Sequence, residues 1–185
     1  SLGGIMALAQ GGADIAGAHL LDVETDTYNG AFVRRLLPGH QIALLRLADR
    51  RVGLIVAPGN PLDLQTLADL TREGVRFINR QPGAGTRVWL DARLHQLGIS
   101  PAQIDGYEYE VLTHSEVASA VGEGRADVGL GIEAAARTYG LDFVLLTTEH
   151  YDIIIPEDVW EEQPVQRLAA ELATGEAKAA IEALG

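Results

Sequence analysis

The 185-residue sequence has no cysteine, which removes disulfides, thiolate metal ligands and thiol nucleophiles together. Basic residues are few: 14 Lys and Arg stand against 26 Asp and Glu, a net charge of −12, so no basic surface is available to neutralise phosphates and nucleic acid is excluded as a direct partner. Long apolar runs are missing as well. No stretch approaches the ~20 residues that a membrane span needs, and no basic segment followed by an apolar run opens the chain, so the expected location is the cytoplasm. The five histidines lie far apart, without the i,i+4 pairing of a zinc helix, and no Gly-x-Ser-x-Gly elbow surrounds a serine. Neither a metal site nor a catalytic set is expected. Asp22–Val33 superficially resembles a calcium loop, but Thr27 stands where its glycine belongs and Val33 where its glutamate belongs.

What is present is apolar sequence in short clusters, 47% of the chain, enough for one domain or two small lobes. The pattern alternates. Residues 5–9 read as the end of a helix, 14–17 as a strand, 22–29 as a polar loop and 30–37 as a helix stopped by Pro38-Gly39. Two β-rich runs, 41–47 and 52–57, flank a charged turn at Asp49-Arg50-Arg51. After Pro58-Gly59-Asn60-Pro61, Asp63 is expected to cap a helix over 64–71, followed by a strand over 75–79 and a helix over 85–97 ended by Gly98. Leu90, Leu94 and Leu97 form an apolar stripe, while Trp89 and Trp160 suit packing better than base stacking. Residues 107–112 alternate like a strand. Thr113-His114-Ser115-Glu116 is a capping box that opens a helix through 121. A strand over 127–131, a helix over 133–139 closed by Gly140, strands over 143–146 and 153–155, and two final helices complete an α/β pattern with largely parallel sheets. One echo stands out: Gly12-Ala-Asp-Ile-Ala16 and Arg125-Ala-Asp-Val-Gly129 each follow a helix ending in glycine and lead into a short strand.

The segment Arg80-Gln-Pro-Gly-Ala-Gly-Thr-Arg87 lies between an expected strand and an expected helix. Gly83 and Gly85 allow a tight turn, the amides of Ala84, Gly85, Thr86 and Arg87 point out of a helix N-terminus, and Thr86 adds a hydroxyl. A P-loop lysine and the third glycine of a dinucleotide fingerprint are both missing, so the turn reads as an anion cradle rather than a nucleotide site.

Four separated segments, 77–87, 113–114, 124–135 and 151–156, resemble, in order, the bacterial PBP-like domain, a type 2 periplasmic-binding-protein fold related to oxyanion-binding proteins. That family occurs behind helix-turn-helix modules or attached to molybdopterin-biosynthesis modules. The resemblance implies a two-lobed α/β fold, with lobe one at 1–57 plus 151–185 and lobe two at 58–150. It also implies two hinge crossovers, at 52–61 and 151–156, and a ligand cleft between the lobes. Against the family pattern, lobe one lacks its first strand, helix and strand, and the exposed edge is expected to be covered by a preceding segment or by a second copy in a homodimer. The implied function is non-enzymatic: sensing a small oxyanion such as molybdate or tungstate, with a fused DNA-binding or molybdopterin-biosynthesis domain as partner and no cofactor. An organic acid or pterin-like ligand, or dehydratase chemistry on the same fold, are the alternatives. The residues implied to meet ligand are Ser1, Gly3, His19, Arg80, Gly83, Ala84, Gly85, Thr86, Arg87, Thr113, His114 and Tyr151. Glu133 either caps a helix or meets a ligand that carries a donor.

Overall fold

The computed structural model describes residues 1–184. In chain order the elements are α1 (Leu2–Ala9), β1 (Ala16–Ala18), β2 (Leu21–Asp22), β3 (Thr27–Tyr28), α2 (Gly30–Leu36) and β4 (Ile42–Val56). A 3₁₀ turn (Leu67–Thr71), β5 (Phe77–Arg80), α3 (Gly85–Leu97), a second 3₁₀ turn (Pro101–Gln103) and β6 (Glu110–Val111) come next. The chain ends with α4 (His114–Gly122), β7 (Val128–Ile132), α5 (Glu133–Thr138), β8 (Asp142–Pro156), α6 (Glu157–Trp160), α7 (Gln163–Leu172) and α8 (Gly175–Leu184). They form two units, one of Ser1–Asp49 with residues 149 onward, the other of Arg50–Thr148. The chain passes from one to the other inside β4 and again inside β8. Among the described residues no helix is long and apolar enough to cross a membrane.

In the first unit, β1 pairs antiparallel with the end of β8, Ala16 opposite Ile154, and β2 with β3 forms a small hairpin where the sequence suggests only a polar loop. Asp22 helps to close that hairpin by accepting the Thr25 hydroxyl. Helix α7 buries Val165 and turns Leu168 and Leu172 toward Ile153 and Ile155, a spacing that puts its three large apolar residues on one face. Beneath α2, the fully buried Asn29 accepts the Leu20 N–H and donates to the Ala18 carbonyl and to Asp152, whose other oxygen takes Arg46.

In the second unit, β6, β5 and β7 run parallel, and β4 joins β7 antiparallel, Val52 opposite Ile132, so the sheet is mixed rather than largely parallel. Helix α4 packs Val117, Ala118, Ala120 and Val121 onto Ile55 and Ile78. The echo in sequence is an echo in structure. Gly11 and Gly124 both take positive φ, 67° and 69°, and the N–H of the next residue reaches back five residues, Gly12 to Ala7 and Arg125 to Ala120, closing α1 and α4 alike.

Several local expectations give way. The charged turn at 49–51 is continuous strand, because Arg46, Asp49 and Arg51 face outward and find partners across each unit, Arg51 pairing with Glu133 at 2.6 Å. Likewise 143–146 and 153–155 belong to one strand, β8. Asp63 caps nothing: Asn60 holds Leu64 in the preceding loop, and the turn begins at Thr66, where Asp69 accepts the N–H groups of Gln65 and Thr66. Residues 107–109 turn rather than extend, since Gly106 has φ 88°, and only Glu110–Val111 is strand. Leu97 is exposed, unlike Leu90 and Leu94, and three helices rather than two close the chain.

Candidate functional site

The parallel strands of the second unit all end at one edge, and each is followed by a helix: α3 after β5, α4 after β6, α5 after β7. In open α/β sheets this edge collects ligands, because helix N-termini bring unpaired N–H groups to it. The three helix heads differ in how those groups are used.

The head of α4 is closed by its own residues. Thr113 Oγ1 accepts the Glu116 N–H at 3.1 Å, and the Glu116 carboxylate accepts the N–H groups of Leu112 and Thr113 at 2.7 and 2.8 Å. Those backbone donors, Thr113 foremost, hold the Glu116 carboxyl below its ordinary pKa. Thr113 is therefore committed as a cap. His114, next to it, is half-buried, its Nδ1 close to where a side chain at Gly131 would stand. The head of α5 carries the Glu133 carboxylate, which is met by Arg51 at 2.6 Å and Arg137 at 3.1 Å.

The head of α3 is different. Gly83, with φ 82°, turns the chain back from β5, and Ala84 at the N-cap position has no side chain able to cap. The first intrahelical bond runs from the Val88 N–H to the Ala84 carbonyl, which leaves the amides of Gly85, Thr86 and Arg87 without intrahelical acceptors. All three residues are buried. Thr86 is fully buried, and its hydroxyl oxygen finds no hydrogen-bond partner among the described residues. Arg80, at the end of β5, donates through Nη2 to the Leu112 carbonyl at 2.7 Å and so ties this turn to the head of α4.

Arg87 belongs to this turn by sequence, but its side chain is occupied elsewhere. Its guanidinium is buried, bonded to Asp91 at 2.9 Å, to Glu110 at 3.0 Å and to the Arg80 carbonyl at 3.1 Å, and it lies over the Tyr107 ring. Burial alone would lower the Arg87 pKa; Asp91 and Tyr107 more than reverse that and raise it. What Arg87 offers to the turn is its backbone N–H.

In the first unit the structure brings His19 and Tyr151 together, their rings stacked with centroids 5.5 Å apart. His19 Nδ1 lies 2.9 Å from Glu149 Oε2, a nearly fully buried carboxylate that no local pattern links to His19, because it sits 130 residues away. The Tyr151 hydroxyl packs so closely on Gly17 that any side chain there would overlap it. Ser1 is the N-cap residue of α1 with a buried hydroxyl oxygen, whereas Gly3 is exposed with open space around it.

Comparison with known proteins adds a family. The sequence profile of the PBP superfamily domain matches residues 1–173. The YvgK protein of Bacillus subtilis (strain 168) is 42% identical over 155 residues, which is 84% of this chain and 50% of that protein, so the chain spans about half the length of this relative. Among solved structures, a substrate-binding protein from Clostridium perfringens with bound phosphate superposes with a TM-score of 0.70 at 12% identity, over 100% of this chain and 82% of the other. The effector-binding domain of QuiR in complex with shikimate gives 0.62 at 14% identity, over 95% and 77%. Both likenesses are of fold, the type 2 periplasmic-binding-protein fold.

Proposed function

We infer, because the chain belongs to the PBP superfamily domain family, that it works by binding a small ligand at the head of α3, as a cytoplasmic effector domain rather than an enzyme. The ligand is an oxyanion such as molybdate or tungstate. One observation carries this reading: of the three helix heads at the edge of the parallel sheet, α4 is capped by its own box and α5 is fronted by a carboxylate, while α3 is buried and uncapped, with the Thr86 hydroxyl unpartnered among the described residues. A buried helix end without a cap is costly unless something supplies acceptors, and an anion is the group that both the free N–H donors and the helix dipole favour. A net charge of −12 leaves any contact with DNA to a fused domain, of the DNA-binding or molybdopterin-biosynthesis kind.

A carboxylate presents the same paired oxygens, and the shikimate complex of a protein with this fold supports an organic acid as the second reading. Calorimetric titration and thermal unfolding with molybdate, tungstate, sulfate, phosphate and shikimate decide between them. A ligand held at 100 times its Kd raises stability by about 2.7 kcal/mol, well within reach of such a scan. No shift with any of the five ends the oxyanion reading and the organic-acid reading alike.

A further inference from the structure

We propose that Trp89 is a ligand-contacting residue, its indole N–H being a further donor of the anion site at the head of α3. This rests on the reading above and adds to it a side chain that the sequence pattern assigns to packing. Trp89 is 6% exposed, and its Nε1, like the Thr86 hydroxyl oxygen, is buried without a hydrogen-bond partner among the described residues. The two residues are three apart on one helix, so their side chains lie on the same face. Helical side chains lean toward the N-terminus, which carries the indole back over the turn that Gly85 and Thr86 begin. Two buried polar groups left unpaired on one face, at the end of a helix that is itself uncapped, describe a single site awaiting acceptors.

The chemistry of the donors defines the ligand class. An indole nitrogen and helix-head amides can only donate, and the Thr86 hydroxyl is free to donate with them. The matching ligand presents at least two unprotonated oxygens, as a tetrahedral oxyanion or a carboxylate does. The Arg93 guanidinium, 5.8 Å from the centre of the Trp89 ring, occupies a face of the indole and leaves its edge for the ligand.

Trp89→Phe keeps an aromatic side chain, though a smaller one, and removes the donor. Titrations of the full chain and this variant with tungstate, sulfate and shikimate are expected to show about ten- to a hundred-fold weaker binding of the preferred anion, the range for one hydrogen bond to a charged group. The smaller ring leaves space in the packing, so the ligand-free unfolding midpoint is expected to fall, and affinities are compared where both proteins are folded. Indole ¹⁵N–¹H spectra read the same contact without altering Trp89: with two tryptophans in the chain, Trp160→Phe assigns the signals, and anion should move the Trp89 signal downfield and slow its exchange. Equal affinity of the variant, or an unmoved Trp89 signal at saturating anion, overturns the role of Trp89 and leaves the α3 site standing. Absence of binding by the unaltered chain to these three and to molybdate and phosphate removes both.

Discussion

The guanidinium of Arg87 lies 4.2 Å from the centre of the Tyr107 ring, and both side chains bond the same carboxylate, Asp91. Burial first, and then Asp91, push the Tyr107 hydroxyl above its ordinary pKa, so it stays a proton donor throughout the neutral range. This arrangement braces the start of α3 from below. Arg87→Ala leaves Glu110 and Asp91 without their shared cation, but both carboxylates are partly exposed and rehydrate, so the expected cost in denaturant unfolding is about 1–2 kcal/mol. Because the backbone N–H survives, affinity for the preferred anion, measured where the variant is folded, should change less than threefold. A loss of a hundredfold would show that the side chain, and not the amide, meets the ligand.

Gly129 and Val117 share one contact between β7 and α4. A Cβ on Gly129 would overlap the Val117 and Ile78 side chains, so Gly129→Ala should destabilise by about 2–3 kcal/mol through overpacking. Val117→Ala opens the space. The double variant is expected to show a coupling of at least about 1 kcal/mol in the favourable direction, and simple additivity of the two losses would contradict the contact. In the other half of the echo the sizes are exchanged: the helix supplies Gly4 and the strand supplies Ala16, 3.1 Å from where a Gly4 side chain would start.

Asp127 gives a pH signature. Its hydrogen bonds to the Arg76 guanidinium, chiefly, lower its pKa below the ordinary carboxylate value. A carboxyl whose folded pKa is depressed contributes stability that is complete above its unfolded pKa, about 3.9, and is lost as pH falls through the folded value. Asp127→Asn should therefore unfold at a lower temperature than the unaltered chain at pH 7, with the two midpoints converging below about pH 4. A gap that stays constant as the pH is lowered through the acid range would mean that the charge on Asp127 contributes little.

Asn29 combines a positive φ of 63° with four side-chain hydrogen bonds in a fully buried position. Asn29→Ala leaves Asp152 short of a donor and the Leu20 N–H without an acceptor, and adds backbone strain; a loss of about 3 kcal/mol is expected. Chemical denaturation measures it, and a loss under 1 kcal/mol would mean that water replaces the amide freely.

Signals that act within a few residues were plain in the sequence. Gly98 stops α3 with φ 69°, the Thr113 box opens α4, and Gly140 follows α5, each as its local chemistry dictates. The turn from Arg80 to Arg87 was legible for the same reason. What stayed hidden depends on partners far along the chain. Arg51 reads as part of a turn until Glu133, 82 residues on, is seen to neutralise it within a strand; Arg87 reads as a ligand residue until Tyr107 and Glu110 claim its side chain. Which of three helix heads stays open is likewise a tertiary fact. It requires knowing that strands β5, β6 and β7 end at the same edge.

The second unit is one uninterrupted stretch, residues 50–148, whereas the first is assembled from residues 1–49 and a segment that begins at Glu149. On the ribosome, where domains fold as units and N-terminal portions emerge first, this reverses the usual order. The unit encoded in the middle can complete its contacts once residue 148 has left the exit tunnel. The opening 49 residues, β1 among them, must wait for a strand partner, Ile153 and Ile154, that is translated more than a hundred residues later.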